Sequence, residues 1–154
     1  MIDKLRTLLG CLVALVLFAG CDPRFDLNLD KEDYVTYQTG GGELGAPWME
    51  VTFMGDGSVN HRNTSRIETT ATYRLSPKDT KKFFQSLVDI GLFDLRNKDA
   101  LGGDIPMTVI TASVDGRNRQ ASWGLITDED VDKRYTMINK LINDTVATLG
   151  IEDH

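Results

Sequence analysis

The tetrad Ser76-Pro77-Lys78-Asp79 leaves the backbone little freedom. Ser76 can cap a helix, Pro77 suits the first helical position, and Asp79 stands three residues after the cap, as a capping box requires. Phe83, Phe84, Leu87 and Val88 then recur at helical spacing, and Gly91 supplies the usual stop. Leu92, Phe93 and Leu95 should fold back on the end of that helix. Thr127-Asp128-Glu129-Asp130 repeats the same start. Val131, Tyr135, Ile138, Ile142, Thr145 and Leu149 form one apolar stripe of about five turns, closed by Gly150. Acids in that first turn suit the positive end of the helix dipole.

The segments before these helices have the period of strands. Tyr34 to Gln38 is β-branched and aromatic, and Trp48 to Phe53 reads as a strand ending at the Gly55-Asp56-Gly57 turn. Val59 begins a return, but Asn60 to Ser65 is polar and is expected to bulge or loop. Ile67, Thr69, Ala71, Tyr73 and Leu75 alternate as a long strand with one buried face. Met107 to Val114 and Arg119 to Trp123 flank Asp115-Gly116, a hairpin turn. The expected fold is α+β: a mainly antiparallel sheet of about five or six strands with two amphipathic helices on one face. Its order suggests two ββα-like units. Phe25, Leu27 and Leu29 alternate with Asp26, Asn28 and Asp30 and predict a short strand before them. Those three polar residues also open like a calcium loop, but Lys31 and Tyr37 stand where Gly and Glu are needed. Gly40 to Gly45 matches G-x-G-x-x-G, yet Pro47 and a strand follow, where a phosphate site needs a helix N-terminus.

The N-terminal segment is of another kind. Lys4 and Arg6 precede an uncharged Leu/Val-rich run from Leu8, which ends on Ala19 and Gly20. A basic start, a short apolar centre and small residues at the end describe a signal peptide. The centre falls short of the roughly 20 residues a membrane-spanning helix takes. With Cys21 directly after it, the Phe18-Ala19-Gly20-Cys21 stretch resembles the lipobox of bacterial lipoproteins. The resemblance implies cleavage before Cys21, lipid attachment on its sulfur and anchorage to a bacterial membrane facing the periplasm or exterior. Asp22, next in line, resembles the inner-membrane retention signal of enteric bacteria. The expected organisation is a signal peptide over 1–20, a lipidated cysteine and tether over 21–33, and one α+β domain over 34–154. The runs VTFMGDGSV, YRLSPKDTKKFFQSLVDIGLFDL and DIPMTVITASVDGRNR are also similar to small bacterial lipoproteins with a compact α+β envelope domain, a resemblance that brings no activity with it.

Cleavage removes Lys4, Arg6 and Asp3, so the net charge of −6 becomes −7. That sign disfavours nucleic acid as a partner. Cys21, alkylated, leaves no thiol for a disulfide, a metal or catalysis. The only histidines are His61, expected in a polar loop, and His154. G-x-S-x-G and S-x-x-K are absent, so no serine acyl-transfer signature is present. Neither a cofactor nor a metal site is expected. The carboxylates Asp94, Asp99 and Asp104, in or beside a polar loop, are the remaining catalytic candidates, although Asp is also an ordinary loop residue. Arg117 and Arg119 share one face of a strand and make a modest anion site or a solvated sheet edge. Trp48 and Trp123 can stack on a ligand or fill a core. The chain reads as a membrane-anchored, non-catalytic binding or accessory module of the cell envelope, with an envelope protein as partner. Its rival is a carboxylate-dependent envelope hydrolase using the Asp94–Asp104 loop.

Overall fold

The computed structural model describes residues 27–40, 47–65, 67–97, 107–124 and 133–151. The fold is α+β. Six strands, β1 (Tyr34–Gly40), β2 (Pro47–Met54), β3 (Ser58–Asn63), β4 (Thr69–Arg74), β5 (Met107–Val114) and β6 (Arg117–Trp123), form one antiparallel sheet. Helix α1 (Pro77–Ile90) follows β4, and α2 (Lys133–Thr148) follows β6. The sheet order is β4-β3-β2-β1-β5-β6, so the first strand in the chain is interior and β4 and β6 are the edges.

Alternation along each strand separates two kinds of side chain. Val35 and Tyr37, Val51 and Phe53, Ile110 and Ala112, and Ala121 are buried and stand opposite one another across the ladders, and buried Trp123, opposite Thr108, lies on the same face. Several intervening positions are polar and bond to each other across strands. Thr36 Oγ1 and Thr52 Oγ1 are 3.0 Å apart, Gln38 Nε2 donates to Glu50 Oε2 at 2.6 Å, and Thr72 Oγ1 donates to Asn60 Oδ1 at 3.0 Å. The apolar set meets the helices: Phe53 lies 4.2 Å from Phe83 of α1 between ring centroids, and Trp123 lies 4.9 Å from Tyr135 of α2. Tyr37 reaches α2 as well, its hydroxyl donating to Asn139 Oδ1 at 3.2 Å. Burial raises the pKa of that hydroxyl above 10.0, against a smaller downward pull from a hydrogen bond with Thr108.

The turn chemistry follows the sequence. Asp115 and Gly116 both take positive φ, 50° and 71°, in the two-residue β5–β6 turn, the pattern of a type I′ hairpin. Ser76 caps α1, accepting from the Asp79 amide at 3.1 Å and donating to Asp79 Oδ2 at 2.6 Å. Gly91 ends α1 at φ 97°, and Leu92 and Leu95 are fully buried beyond it, with Leu92–Asp94 wound as a 3-10 turn. Ser76→Ala should cost about 1 kcal/mol, the usual worth of a side-chain cap. A denaturant titration checks this, and an unchanged midpoint would mean that Pro77 alone sets the helix start.

Three local expectations are corrected. Residues 27–29 are not a strand: they run irregularly into a turn over 30–33, with Leu27 buried, Leu29 partly buried, and the Asp33 amide donating to Asp30 O at 3.1 Å. Asp30 is held by the same turn, its amide donating to Asp33 Oδ2 at 2.7 Å. Asn60 to Asn63 is regular β3 rather than a bulge, because Val59 and His61 face the interior while Asn60 and Arg62 face out. The strand expected from Ile67 begins only at Thr69, and Ile67 is 79 % exposed. The cap expected at Thr127, the position of Phe25 and Asp26, and the residues 41–45 of the glycine run lie outside the described residues.

Candidate functional site

The helices leave an open groove between them of about 320 Å³, near the lower end of the range in which small-molecule sites fall. Its floor is apolar, formed by Leu75 after β4, Phe83 of α1 and Leu141 of α2. The rim is polar, with Asp79, Lys82 and Ser86 on α1 and Asp144, Thr145 and Thr148 on α2. The sequence builds this shape directly. Phe83 turns to the sheet, and α2 presents Leu141 and Thr145 at the margin of the stripe whose centre, Ile138, Ile142 and Val146, is buried.

Most of the rim is already engaged. Thr145 Oγ1 donates to Leu141 O at 2.7 Å and Thr148 Oγ1 to Asp144 O at 2.8 Å, each back onto its own helix. Asp144 Oδ2 accepts from Lys140 Nζ at 2.7 Å, and Asp79 is held by the Ser76 cap. The groove can therefore enclose an apolar group and offer it little directed hydrogen bonding. It holds no nucleophile paired with a base. Thr145 reads in the sequence as part of an apolar stripe and Leu141 carries no mark there, and only the closeness of the two helices makes them a lining.

The candidates drawn from the sequence that are described lie on different elements. Asp94 sits in the exposed 3-10 turn with a carboxylate oxygen 4.0 Å from Arg134 Nη1, while Asp99 and Asp104 lie outside the described residues. Cys21 and His154 lie outside them too. His61 is not in a loop. It is 6 % exposed within β3, opposite Val51 and Ala71, and its Nε2 has no hydrogen-bond partner among the described residues. Arg117 and Arg119 differ: Arg117 is exposed, as at a solvated edge, and stacks over Phe93 at 4.1 Å, while Arg119 is half-buried with its Nε covered. Trp123 is core, 1 % exposed, whereas Trp48 is 45 % exposed at the bulge where β2 meets the end of β1. Among the described residues no group of three or more His, Cys, Asp or Glu is placed to hold a metal ion. Asp56 has its carboxyl held below the usual range by the Ser58 hydroxyl and amide, a turn contact rather than a catalytic one. No helix among the described residues is long and apolar enough to cross a membrane.

No protein-family model matches the chain, and a search of curated proteins finds no match either.

Proposed function

We propose that this protein is a lipid-anchored, non-catalytic binding or accessory module of the bacterial cell envelope, attached through Cys21 and working on a protein or other envelope component. The observation that carries the reading is the run from Leu8 to Ala19-Gly20-Cys21, a complete signal with a cysteine at the cleavage position. The groove between the helices, apolar at its floor and with most of its polar rim bonded within the protein, supports binding over chemistry. Asp22 favours retention at the inner membrane, which density-gradient separation in the native organism tests.

The same reading includes a finer view of the scaffold. Both helices cover one sheet face, since Tyr37, Phe53 and Trp123 share a face by register and each meets a helix. The opposite face, with Thr36, Thr52, Asn60 and Thr111, is then open. The hairpins β2–β3 and β5–β6 each precede a helix as ββα-like units, with β4 inserted in the first.

Cys21→Ala is expected to abolish lipid attachment and to leave uncleaved precursor in place of the anchored protein. Mass spectrometry of the mature N-terminus decides it. An unmodified Cys21, or cleavage elsewhere, would sink the proposal. Two or more acyl chains should make residence stable, at about 0.8 kcal/mol for each buried methylene.

A further inference from the structure

The two edges of the sheet differ in how they are closed. On β6, the outward amide of Ser122 is taken up by Asn97 Oδ1 at 3.2 Å, and Arg117 and Arg119 point inward along the edge. A side-chain cap and inward charges are devices that keep a sheet edge from pairing. Strand β4, Thr69–Arg74, has neither Lys nor Pro and is rich in Thr. The Leu75 amide donates to Gly57 O at 2.8 Å, which fixes the ladder phase: Thr69, Ala71 and Tyr73 bond to β3. The amides and carbonyls of Thr70, Thr72 and Arg74 therefore face away from the sheet. Among the described residues nothing hydrogen-bonds to them.

We propose that β4 is a dimerisation edge, pairing antiparallel with β4 of a second copy of this chain to continue the sheet. A twofold axis normal to the sheet keeps the buried faces of both copies on the same side, so that a residue must face one of its own parity. With the axis at Ala71, Ala71 faces itself, Thr70 faces Thr72, and Glu68 faces Arg74, each of the latter pairs occurring twice. Opposite charges and paired threonines are favourable cross-strand neighbours. Moving the axis to Thr72 sets Arg74 against Thr70 and Glu68 against Ser76, and both charge pairs are lost. Glu68 Oε1 accepts from Arg62 Nε at 2.9 Å and Arg74 Nη2 donates to Asp56 O at 3.3 Å, which leaves one Glu68 oxygen and the other Arg74 nitrogens for the pair between copies. The self-complementary charge pattern is what selects a second copy over an unrelated extended peptide.

The test uses the full chain in detergent. Parent protein should sediment as a concentration-dependent dimer. Ala71 faces itself in a non-hydrogen-bonded pair with Cα atoms about 4.5 Å apart, within disulfide range. Ala71→Cys should thus give, on mild oxidation, at least tenfold more linked dimer than either the parent or Gln120→Cys on β6. Thr72→Pro removes an outward amide that the monomer does not use, and edge strands tolerate proline there. It also removes the exposed Thr72 Oγ1–Asn60 Oδ1 bond, so it should melt as Thr72→Val does, which removes that bond alone, while reducing the sedimenting species to monomer. A monomeric parent at every concentration, equal linkage at Ala71→Cys and Gln120→Cys, or a dimer that survives Thr72→Pro would each overturn the proposal.

Discussion

Gly55→Ala is expected to destabilise the domain by about 3 kcal/mol or more, well above an ordinary surface change. A Cβ at Gly55 would stand 1.8 Å from Asp30 O and 2.9 Å from its carbonyl carbon. Backbone cannot step aside as a side-chain end can. The Asp30–Asp33 turn is also pinned from three directions. Gly55 N donates to Asp33 O at 2.7 Å, Asp30 N to Asp33 Oδ2 at 2.7 Å, and Asp115 N to Asp33 Oδ1 at 3.0 Å. Retreat of the turn would strip a buried carboxylate of its donors, and each hydrogen bond to a charged group contributes about 1.5–3 kcal/mol. The comparison is Gly116→Ala, at φ +71° with nothing within 4 Å of the added Cβ. That change meets only backbone strain and should cost about 1 kcal/mol. Thermal melts of both variants settle it: equal losses would mean that the turn yields.

Trp123→Ala should cost about 3–5 kcal/mol, the range for removing a large buried aromatic side chain. Trp123 is 1 % exposed and packs on Tyr135, so the cavity opens between the last strand and α2. The effect should spread. The Tyr135 hydroxyl donates to Arg96 O and accepts from the Arg96 amide at 3.2 Å, which fixes the chain just after Asp94. Hydrogen exchange at the Arg96 amide should therefore rise more in Trp123→Ala than exchange at interior amides of α1. Trp123→Phe, keeping most of the ring contact, should recover more than half of the lost stability. A local loss at Arg96 absent from the alanine variant would show that Tyr135 stays in place without its neighbour.

The parts of this fold legible in the sequence are those with local causes. Ser76-Pro77, Gly91 and Asp115-Gly116 act through their own backbones, and all took the expected form. The errors came where partners far along the chain decide. Leu27 and Leu29 alternate as a strand would, yet they pair with no strand, and the turn just after them is held by Asp33, which bonds to the β5–β6 turn. His61 disguised β3, because a polar residue on the inner face breaks the apolar alternation while keeping its period. Ile67 lengthened β4 on paper because an isolated apolar residue carries no sign of whether it will be covered. The groove was illegible for a related reason: it belongs to no segment, only to the approach of α1 and α2. The chemistry of Arg117 was hidden likewise, since its partner Phe93 comes from the 3-10 turn.

The interior place of β1 sets an order of assembly. Tyr34 pairs with Met54, close in sequence, on one side and with Ser113 on the other. Long-range pairing is the slow part of folding, because a large loop must close before its contacts form. A chain that emerges N-terminus first can complete β1 to β4 and α1 while β5 is still missing. During that interval the future middle of the sheet is an open edge, with Val35 and Tyr37 lacking Ala112 and Ile110 beside them. The β5–β6 hairpin thus acts as a late insert that closes the core, and a chain stopped after Ile90 would present the edge of β1, with Val35 and Tyr37, to whatever it meets first.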